Sequence, residues 1–141
     1  MKILVINGPN LNLLGVREPD VYGSETLADI ENWLNEQPEV HGHDITWFQS
    51  NHEGEIIDQL HSNIKEVDGI IINPGAFTHY SYAIRDAVTA IGVPTVEVHL
   101  SNIYQREEFR KISVLKDVCI GQFSGKGKNG YLEALRLLIR K

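Results

Sequence analysis

The segment Val96-Glu97-Val98-His99 alternates valines with ionisable side chains at the two-residue period of a β-strand. This period places Glu97 and His99 on one face of the strand and leaves the valines to fill a core behind it. A carboxylate beside an imidazole can hold one ring nitrogen and fix the tautomer of the ring, as a general acid at neutral pH requires. An ion pair on an edge strand is the structural alternative.

The residues that follow this strand are suited to binding an anion. Ser101 and Asn102 are typical N-caps and predict a short helix that carries Arg106 and Arg110, four residues apart, on one face. A helix N-terminus offers free N–H donors to a carboxylate. These groups together predict a site for a small hydroxylated acid.

A second polar group, Asn73-Pro74-Gly75-Ala76-Phe77-Thr78-His79, follows another apolar segment. An amide, a rigid turn and an imidazole occur there together. A single histidine is more often structural or solvated, so a ligand-binding role for His79 depends on its place in the fold.

A long polar loop runs from Asn7 to Gly23 and contains Asn10, Arg17 and Tyr22. A guanidinium near a phenol favours the phenolate, which could act as a base. A plain surface connection with turn-forming asparagines is the alternative. Loops of this length are uncommon in compact α/β domains and are often lids, so we expect this one to cover a ligand.

Five short apolar or β-branched segments predict the strands that position these residues. They are Lys2 to Asn7, Asp44 to Gln49, Gly69 to Asn73, Thr95 to His99 and Val118 to Phe123. Amphipathic segments lie between them, and the alternation predicts a three-layer α/β fold with a flavodoxin-like, doubly wound sheet of five parallel strands. Ligands bind outside the carboxyl ends of such strands, where the polar groups above should meet.

Apolar residues at helical spacing predict four helices. The first carries Leu27, Ile30, Trp33 and Leu34, the second Ile56, Ile57, Leu60 and Ile64, the third spans Ser81 to Ile91 before Gly92, and the last carries Tyr131, Leu132, Leu135, Leu138 and Ile139. Ser24 and Thr26 are candidate caps of the first helix, and Pro38 prevents its continuation.

The composition limits the class of protein. The 141 residues include 13 Lys and Arg against 19 Asp and Glu, for a formal net charge of −6, and 42% are hydrophobic. We expect one globular domain over residues 1–141, without bulk attraction to nucleic acid or anionic lipid. No apolar run is long enough for a membrane span, and nothing resembles a signal peptide. The single cysteine, Cys119, allows no intrachain disulfide and suits a reducing cytoplasm.

Three further signals have structural explanations. Gly125-Lys126-Gly127-Lys128-Asn129-Gly130 has the spacing of a dinucleotide-binding loop, but no second strand with an acidic ribose ligand can follow, so we interpret it as a turn. His41, His43 and His52 have no accompanying cysteine or carboxylate cluster, and we predict no metal site. Cys119 is expected in the core.

These motifs resemble type II 3-dehydroquinate dehydratase over the length of the chain, in the order and spacing of that family. The matching segments are Asn7-Gly8-Pro9-Asn10-Leu11-Asn12, Gly15-Val16-Arg17-Glu18-Pro19 with Tyr22-Gly23, Asn73-Pro74-Gly75-Ala76-Phe77-Thr78-His79, and Val96-Glu97-Val98-His99-Leu100-Ser101-Asn102 followed by Arg106-Glu107-Glu108-Phe109-Arg110. One segment departs from the pattern. Tyr80-Ser81-Tyr82 is bulkier than the family's usual residues and could reshape a pocket wall or a subunit contact.

The resemblance implies trans-dehydration of 3-dehydroquinate to 3-dehydroshikimate through an enolate, in the shikimate pathway to chorismate and aromatic amino acids, with no cofactor, metal or Schiff base. It implies that Tyr22 removes the C2 proton and that Arg17 keeps Tyr22 ionised. Asn10 would help to hold the enolate. His99, oriented by Glu97, would protonate the leaving C1 hydroxyl.

The resemblance also implies the residues that bind the substrate. They are Asn73, His79, Arg110 and the backbone amides of Leu100 and Ser101. Asp86 would reach the site of a neighbouring subunit, because the family forms homododecamers built as tetramers of trimers. No nucleic acid or membrane partner is expected.

Other functions of this fold fit these residues less well. A phosphoacceptor signalling domain needs an acidic pair after the first strand and an aspartate after the third, where this chain has asparagines. An electron carrier needs a hydroxyl-rich phosphate loop after the first strand, and this chain has asparagines there instead. A pure interaction module leaves Arg17, Tyr22, Glu97 and His99 unexplained. Among enzymes, the runner-up is another lyase or hydrolase acting on a small polyhydroxy acid.

Overall fold

A five-stranded parallel sheet lies at the centre of the protein. The computed structural model describes residues 1–16 and 18–140, without the side chains of Val21 and Tyr22. The strands are β1 (Lys2–Asn7), β2 (Asp44–Gln49), β3 (Gly69–Asn73), β4 (Thr95–His99) and β5 (Gly121–Ser124). They pair in the order β2-β1-β3-β4-β5, and each neighbouring pair is parallel. The predicted flavodoxin-like, doubly wound α/β fold is confirmed.

The apolar strands follow from burial on both faces of the sheet. Along β1, Ile3 and Val5 join the core on one face, whereas Leu4 and Ile6 join the core on the other. A strand covered on both sides has no solvent face, so its residues form an apolar run rather than an alternating pattern. The predicted bounds of β1 to β4 are confirmed.

The predicted start of the fifth strand is wrong. Lys116–Val118 is a 3-10 turn, and the strand ladder begins only at Gly121, opposite Val96. Val118 and Cys119 are apolar because they pack against the core from this turn. Periodicity cannot distinguish a short buried turn from the start of a buried strand.

Helices cover both faces of the sheet. They are α1 (Pro19–Tyr22), α2 (Leu27–Asn35), α3 (Glu53–Ser62), α4 (Tyr82–Ile91) and α5 (Asn129–Ile139). The apolar residues of α2 and α5 pack in one core, and those of α3 and α4 pack in the other. None of the described helices is long and apolar enough to span a membrane.

Of the two candidate caps of α2, Thr26 is the N-cap and Ser24 is not. The Asp29 N–H donates to Thr26 Oγ1 at 3.1 Å, and the Asp29 carboxylate accepts the Thr26 N–H at 3.0 Å, which forms a capping box at the start of α2. Gly92 ends α4 with a left-handed backbone, φ 66°. Ile64, predicted on the second helix, lies beyond the end of α3 and is 46% exposed.

The loops after β1 and β3 touch at the point where the strand order reverses. An added Cβ at Gly8 would lie 2.5 Å from the carbonyl oxygen of Pro74. Gly75 has a left-handed backbone, φ 59°, and its Cβ position lies 3.1 Å from the Pro9 carbonyl oxygen. Only residues without a Cβ allow this close approach. The two loops therefore meet where a doubly wound sheet binds its ligands.

Candidate active site

A cleft of about 200 Å³ opens at the carboxyl ends of β1, β3 and β4. Amides, imidazoles, guanidinium groups and a few apolar side chains line it, as in many sites for small polar ligands. The lining residues are Pro9, Asn10, Leu11, Asn73, Gly75, Ala76, His79, His99, Leu100, Ser101, Ile103, Arg106 and Arg110.

The cleft brings together most of the predicted site residues. Those that line it are Asn10, Asn73, His79, His99, Leu100, Ser101 and Arg110. Glu97 lies behind His99 and is bonded to it. Asp86 is exposed on α4, away from the cleft of its own chain. Arg17 and the side chain of Tyr22 lie outside the described residues.

Glu97 and His99 face the same side of β4, as their spacing predicts. His99 Nε2 lies 2.5 Å from Glu97 Oε2. Glu97 is fully buried and His99 is 5% exposed, while Val96 and Val98 pack in the core. Because β4 lies between β3 and β5, the edge-strand alternative is wrong. The carboxylate holds Nε2, which leaves Nδ1 as the ring nitrogen for a ligand.

Two hydroxyl groups that the sequence does not single out also donate to the Glu97 carboxylate. Thr78 Oγ1 donates to Oε2 at 2.5 Å, and Ser113 Oγ lies 2.8 Å from both carboxylate oxygens. Burial is the largest influence on the carboxyl and raises its pKa. The hydrogen bonds from His99, Thr78 and Ser113, with the charge of His99, outweigh burial and hold the pKa of Glu97 below its usual value. Glu97 is therefore a carboxylate at neutral pH.

His79 presents a neutral ring to the cleft. Its Nδ1 lies 2.7 Å from the Ile112 carbonyl oxygen, so Nδ1 carries the proton and donates it. Burial is the main cause that lowers the pKa of His79, and the positive charges of His99 and Arg110 act in the same direction. Nε2 is then a hydrogen-bond acceptor that suits a ligand hydroxyl.

A hydrogen bond to Tyr131, on α5, helps to hold the side chain of Asn73. Its Nδ2 donates to the Tyr131 hydroxyl at 3.2 Å, and its Oδ1 accepts the Gly75 N–H at 3.2 Å. Tyr131 donates in turn to Asn7 Oδ1 at 2.5 Å. Burial raises the pKa of Tyr131 far above its usual value, so the hydroxyl keeps its proton. The helical spacing of Tyr131 predicts only a core position, because spacing contains no information about a hydroxyl partner.

Asn10 is held by side chains at the end of β2 and just after it. It has a left-handed backbone, φ 68°, which asparagine tolerates better than most residues. Its N–H donates to Asn51 Oδ1 at 3.0 Å. Gln49 donates its side-chain amide to the Gly8 carbonyl oxygen at 3.1 Å and to Asn51 Oδ1 at 3.2 Å. Gln49 and Asn51 thus position the Asn10 loop, although no motif marks them.

The predicted helix that carries both Arg106 and Arg110 is wrong. The segment forms two 3-10 turns, Ile103–Gln105 and Glu108–Lys111, and Arg106 joins them with an extended backbone. A spacing of four places side chains on one face only within a continuous helix. Both arginines nevertheless line the cleft, and Arg110 Nε donates to Glu107 at 3.1 Å.

The turn from Gly125 to Gly130 is hydrogen-bonded to the segment that follows β4. The Gly125 N–H donates to the Ser101 carbonyl oxygen and the Gly127 N–H to the Leu100 carbonyl oxygen, each at 3.1 Å. These amides are therefore bonded within the protein rather than free to bind a phosphate. The interpretation as a strand-to-helix turn is confirmed.

Three other predicted features lie apart from the cleft. Tyr80 and Tyr82 are 58% and 67% exposed and do not line it. Burial, the main cause, raises the pKa of Cys119 to about 12, which leaves an unreactive thiol. Among residues 1–16 and 18–140, no three His, Cys, Asp or Glu side chains are grouped to hold a metal ion.

Comparisons with known proteins extend over nearly the whole chain. A family model described as Dehydroquinase class II matches residues 1–139. The chain is 57% identical over 139 residues to a 3-dehydroquinate dehydratase of Clostridium beijerinckii, covering 98% of this chain and 95% of that protein. It is 60% identical over 136 residues to a protein of the same name from Pelotomaculum thermopropionicum, covering 96% and 94%. The solved type II dehydroquinase from Butyrivibrio crossotus has a TM-score of 0.95 at 51% identity, covering 99% of this chain and 97% of that one.

Proposed function

Because the chain belongs to the class II dehydroquinase family, we propose that it removes water from 3-dehydroquinate and forms 3-dehydroshikimate, a step of the shikimate pathway. The observation that carries the proposal is the buried pair of Glu97 and His99 beside a cleft rich in amides and guanidinium groups. The pair supplies an acid, and the cleft supplies donors for a carboxylate and hydroxyls.

The reaction begins with removal of a proton from C2 of the substrate. Tyr22 is the proposed base, and the charge of Arg17 favours its phenolate. The electron pair of the broken C–H bond forms a double bond between C2 and C3, and negative charge develops on the C3 oxygen. A donor already in place at that oxygen lowers the barrier, and we assign this role to Asn10.

The second step expels the hydroxyl group at C1. The enolate re-forms the C3 carbonyl, a double bond forms between C1 and C2, and the C1–O bond breaks. His99 gives a proton from Nδ1 to the departing oxygen, so the leaving group is water. Glu97 stabilises the imidazolium before this transfer because its carboxylate holds Nε2. Solvent then returns a proton to His99 and removes one from Tyr22.

The remaining cleft residues bind the substrate. The Leu100 and Ser101 amides and the Arg110 guanidinium suit its carboxylate, because N–H donors and a positive charge favour an anion. Asn73 and the neutral ring of His79 suit its hydroxyls. These local donors attract an anion although the chain as a whole has a net charge of −6.

Four further expectations belong to this proposal. The whole chain, residues 1–141, acts as one dehydratase domain in the cytoplasm. It assembles as a homododecamer of four trimers, in which the exposed carboxylate of Asp86 completes a neighbouring site. The reaction proceeds through an enolate, and it uses neither a metal ion nor a lysine imine.

The test is direct. Purified protein is mixed with 3-dehydroquinate, and the ultraviolet absorbance of the conjugated enone product is followed, with chromatography to identify the product. We expect the absorbance to rise at a rate proportional to enzyme concentration. Folded protein that gives no signal would refute the proposed function, and a different product would favour another lyase or a hydrolase.

Two controls separate the chemistry from contamination. His99→Gln should remove the signal, whereas His61→Gln, on the exposed surface of α3, should keep it. Treatment with a chelator, and separately with borohydride in the presence of substrate, should leave the rate unchanged. Inactivation by the chelator would contradict metal-free chemistry, and inactivation by borohydride would contradict chemistry without an imine.

A further inference from the structure

We propose that Ser113, together with Thr78, is a positioning residue for the acid of the reaction: its hydroxyl fixes the Glu97 carboxylate, which in turn fixes the ring of His99. The inference rests on the proposed function and extends it to residues that do not line the cleft. The inference is drawn from the hydrogen bonds that the Ser113 hydroxyl makes.

The Ser113 hydroxyl has its acceptor capacity filled by the backbone. Its Oγ accepts the N–H of Leu115 at 3.2 Å and the N–H of Lys116 at 3.1 Å. A hydroxyl has two lone pairs and one proton, so the remaining proton must point to another acceptor. Glu97 provides that acceptor, with both carboxylate oxygens at 2.8 Å. The backbone therefore sets the direction in which Ser113 donates.

The same bonding directs the hydroxyl of Thr78. Thr78 Oγ1 lies 3.2 Å from Ser113 Oγ and 2.5 Å from Glu97 Oε2. Because the lone pairs of Ser113 are already used, Thr78 donates to the carboxylate. Thr78 is fully buried, so no water replaces this donor if it is lost.

The carboxylate is therefore held on two sides. Oε2 accepts from His99, Thr78 and Ser113, and Oε1 lies near Ser113 alone among the described donors. Without Ser113, Oε1 would be a buried acceptor with no partner, and the carboxylate could rotate about its last bond. Rotation would carry Oε2 away from His99 Nε2 and release the ring.

The titratable groups that act on Glu97 come from three parts of the fold. His99 on its own strand, His79 from the turn after β3 and Cys119 from the segment before β5 interact electrostatically with it. Burial keeps Cys119 neutral, with a pKa of about 12, and lowers the pKa of His79. The pKa of Glu97 is below its usual value, and the Ser113 hydrogen bond is one cause.

The experiment compares Ser113→Ala with the wild type in the enone assay and in exchange of the C2 proton. We expect kcat to fall about 10- to 100-fold, the loss of one hydrogen bond to a charged group. Exchange of the C2 proton with deuterated solvent should persist, because the proposed base Tyr22 and Asn10 are untouched, so elimination of water should fall more than exchange does. KM should change less than about twofold, since Ser113 does not line the cleft.

Matched variants separate this role from a loss of folding. Ser113→Thr keeps the hydroxyl and should restore both the rate and the ratio of elimination to exchange, and Ser62→Ala removes an exposed hydroxyl and should change neither. Thr78→Val against Thr78→Ser gives the same comparison at the second donor and serves if Ser113→Ala does not fold.

The outcomes are distinct. A wild type that does not turn over 3-dehydroquinate overturns the proposed function and this role with it. An active wild type whose folded Ser113→Ala variant keeps its kcat and its ratio of elimination to C2 exchange overturns this inference alone. A fall in elimination that is matched by an equal fall in C2 exchange also overturns it, because a merely structural defect would lower both.

Discussion

On the β4 side of the cleft, Glu97 and Thr78 are fully buried, His99 is 5% exposed, and Thr78 and His99 both bond to Glu97. On the β1 side, Asn10 and Asn51 are exposed, and the hydrogen bond between them lies at the surface. Water can replace a lost bond at the surface, whereas a lost bond in the core leaves a polar group without a partner.

This difference separates two physical requirements of the reaction. A proton donor needs a constant electrostatic environment, and burial among fixed donors provides one. The loop after β1 lines the cleft with Asn10 and Leu11, and a loop at a binding site must admit the substrate and release the product, so surface bonds that exchange with water suit it. We therefore expect the loss of a buried bond on the β4 side to lower elimination of water more than C2 exchange, and the loss of the bond between Asn10 and Asn51 on the β1 side to lower the rate without moving the pH profile.

The largest effect is expected from Tyr22→Phe, on the β1 side. The variant removes the proposed base, so turnover should fall by about 10³- to 10⁴-fold, the upper range for one acid–base residue. Exchange of the C2 proton with deuterated solvent should stop as well, and folding should be unchanged by circular dichroism. Near-normal turnover would disprove the assignment of the base to this loop.

A slightly smaller effect is expected from His99→Gln, on the β4 side. Loss of the acid should lower water elimination by about 10²- to 10³-fold. Exchange of the C2 proton should continue, because the base and the enolate donor remain. Nuclear magnetic resonance in deuterated water measures exchange and elimination in one sample. If exchange stopped as completely as elimination, the two sides of the cleft would not have separate roles.

Glu97→Gln should have an intermediate effect on rate and a characteristic effect on stability. We expect turnover to fall about 10- to 100-fold, because a neutral amide cannot stabilise an imidazolium. The folded pKa of Glu97 is below its unfolded value of about 4.3, so its carboxylate contributes stability that is fully present above that value.

This stability is lost as the pH falls from the unfolded value through the folded one. Thermal unfolding from pH 7 to pH 3 should therefore show an acid-side decrease in the wild type that is smaller in Glu97→Gln. If stability fell equally with pH in the two proteins and their activities were equal, the contact between Glu97 and His99 would be structural only.

The smallest effect is expected from Asn51→Ala, on the β1 side. It removes the acceptor of the Asn10 N–H, and water can take its place. We expect kcat to fall by about two- to fivefold, with thermal stability within about 0.5 to 1 kcal/mol of the wild type and the pH profile unchanged. Asn63→Ala, an amide at the end of α3, is the matched control. A shifted pH profile in Asn51→Ala would contradict the proposed separation.

The sequence predicts the parts of the site that lie on regular elements. The bounds of β1 to β4 follow from apolar runs, and the facing of Glu97 and His99 follows from the period of a strand. The place of the cleft follows from the topology of a doubly wound sheet. These predictions succeed because backbone geometry repeats along each element.

The sequence does not predict contacts made by irregular segments. Ser113 lies between two 3-10 turns, and its contact with Glu97 arises only when distant segments fold together. Tyr131 reaches Asn73 from the last helix, across 58 positions of the chain. Arg106 lies in extended backbone between two turns, whereas Arg110 lies in the second turn. Local pattern contains none of this information.

The contact between Gly8 and the Pro74 carbonyl has a consequence for protein engineering. Replacing the loop after β1 with one that has alanine at position 8 would place its methyl group 2.5 Å from that oxygen, closer than real Cβ atoms come. The loop after β3 would have to move, and Asn73 directly precedes Pro74. A graft that is meant to change substrate choice must therefore exchange the two loops together.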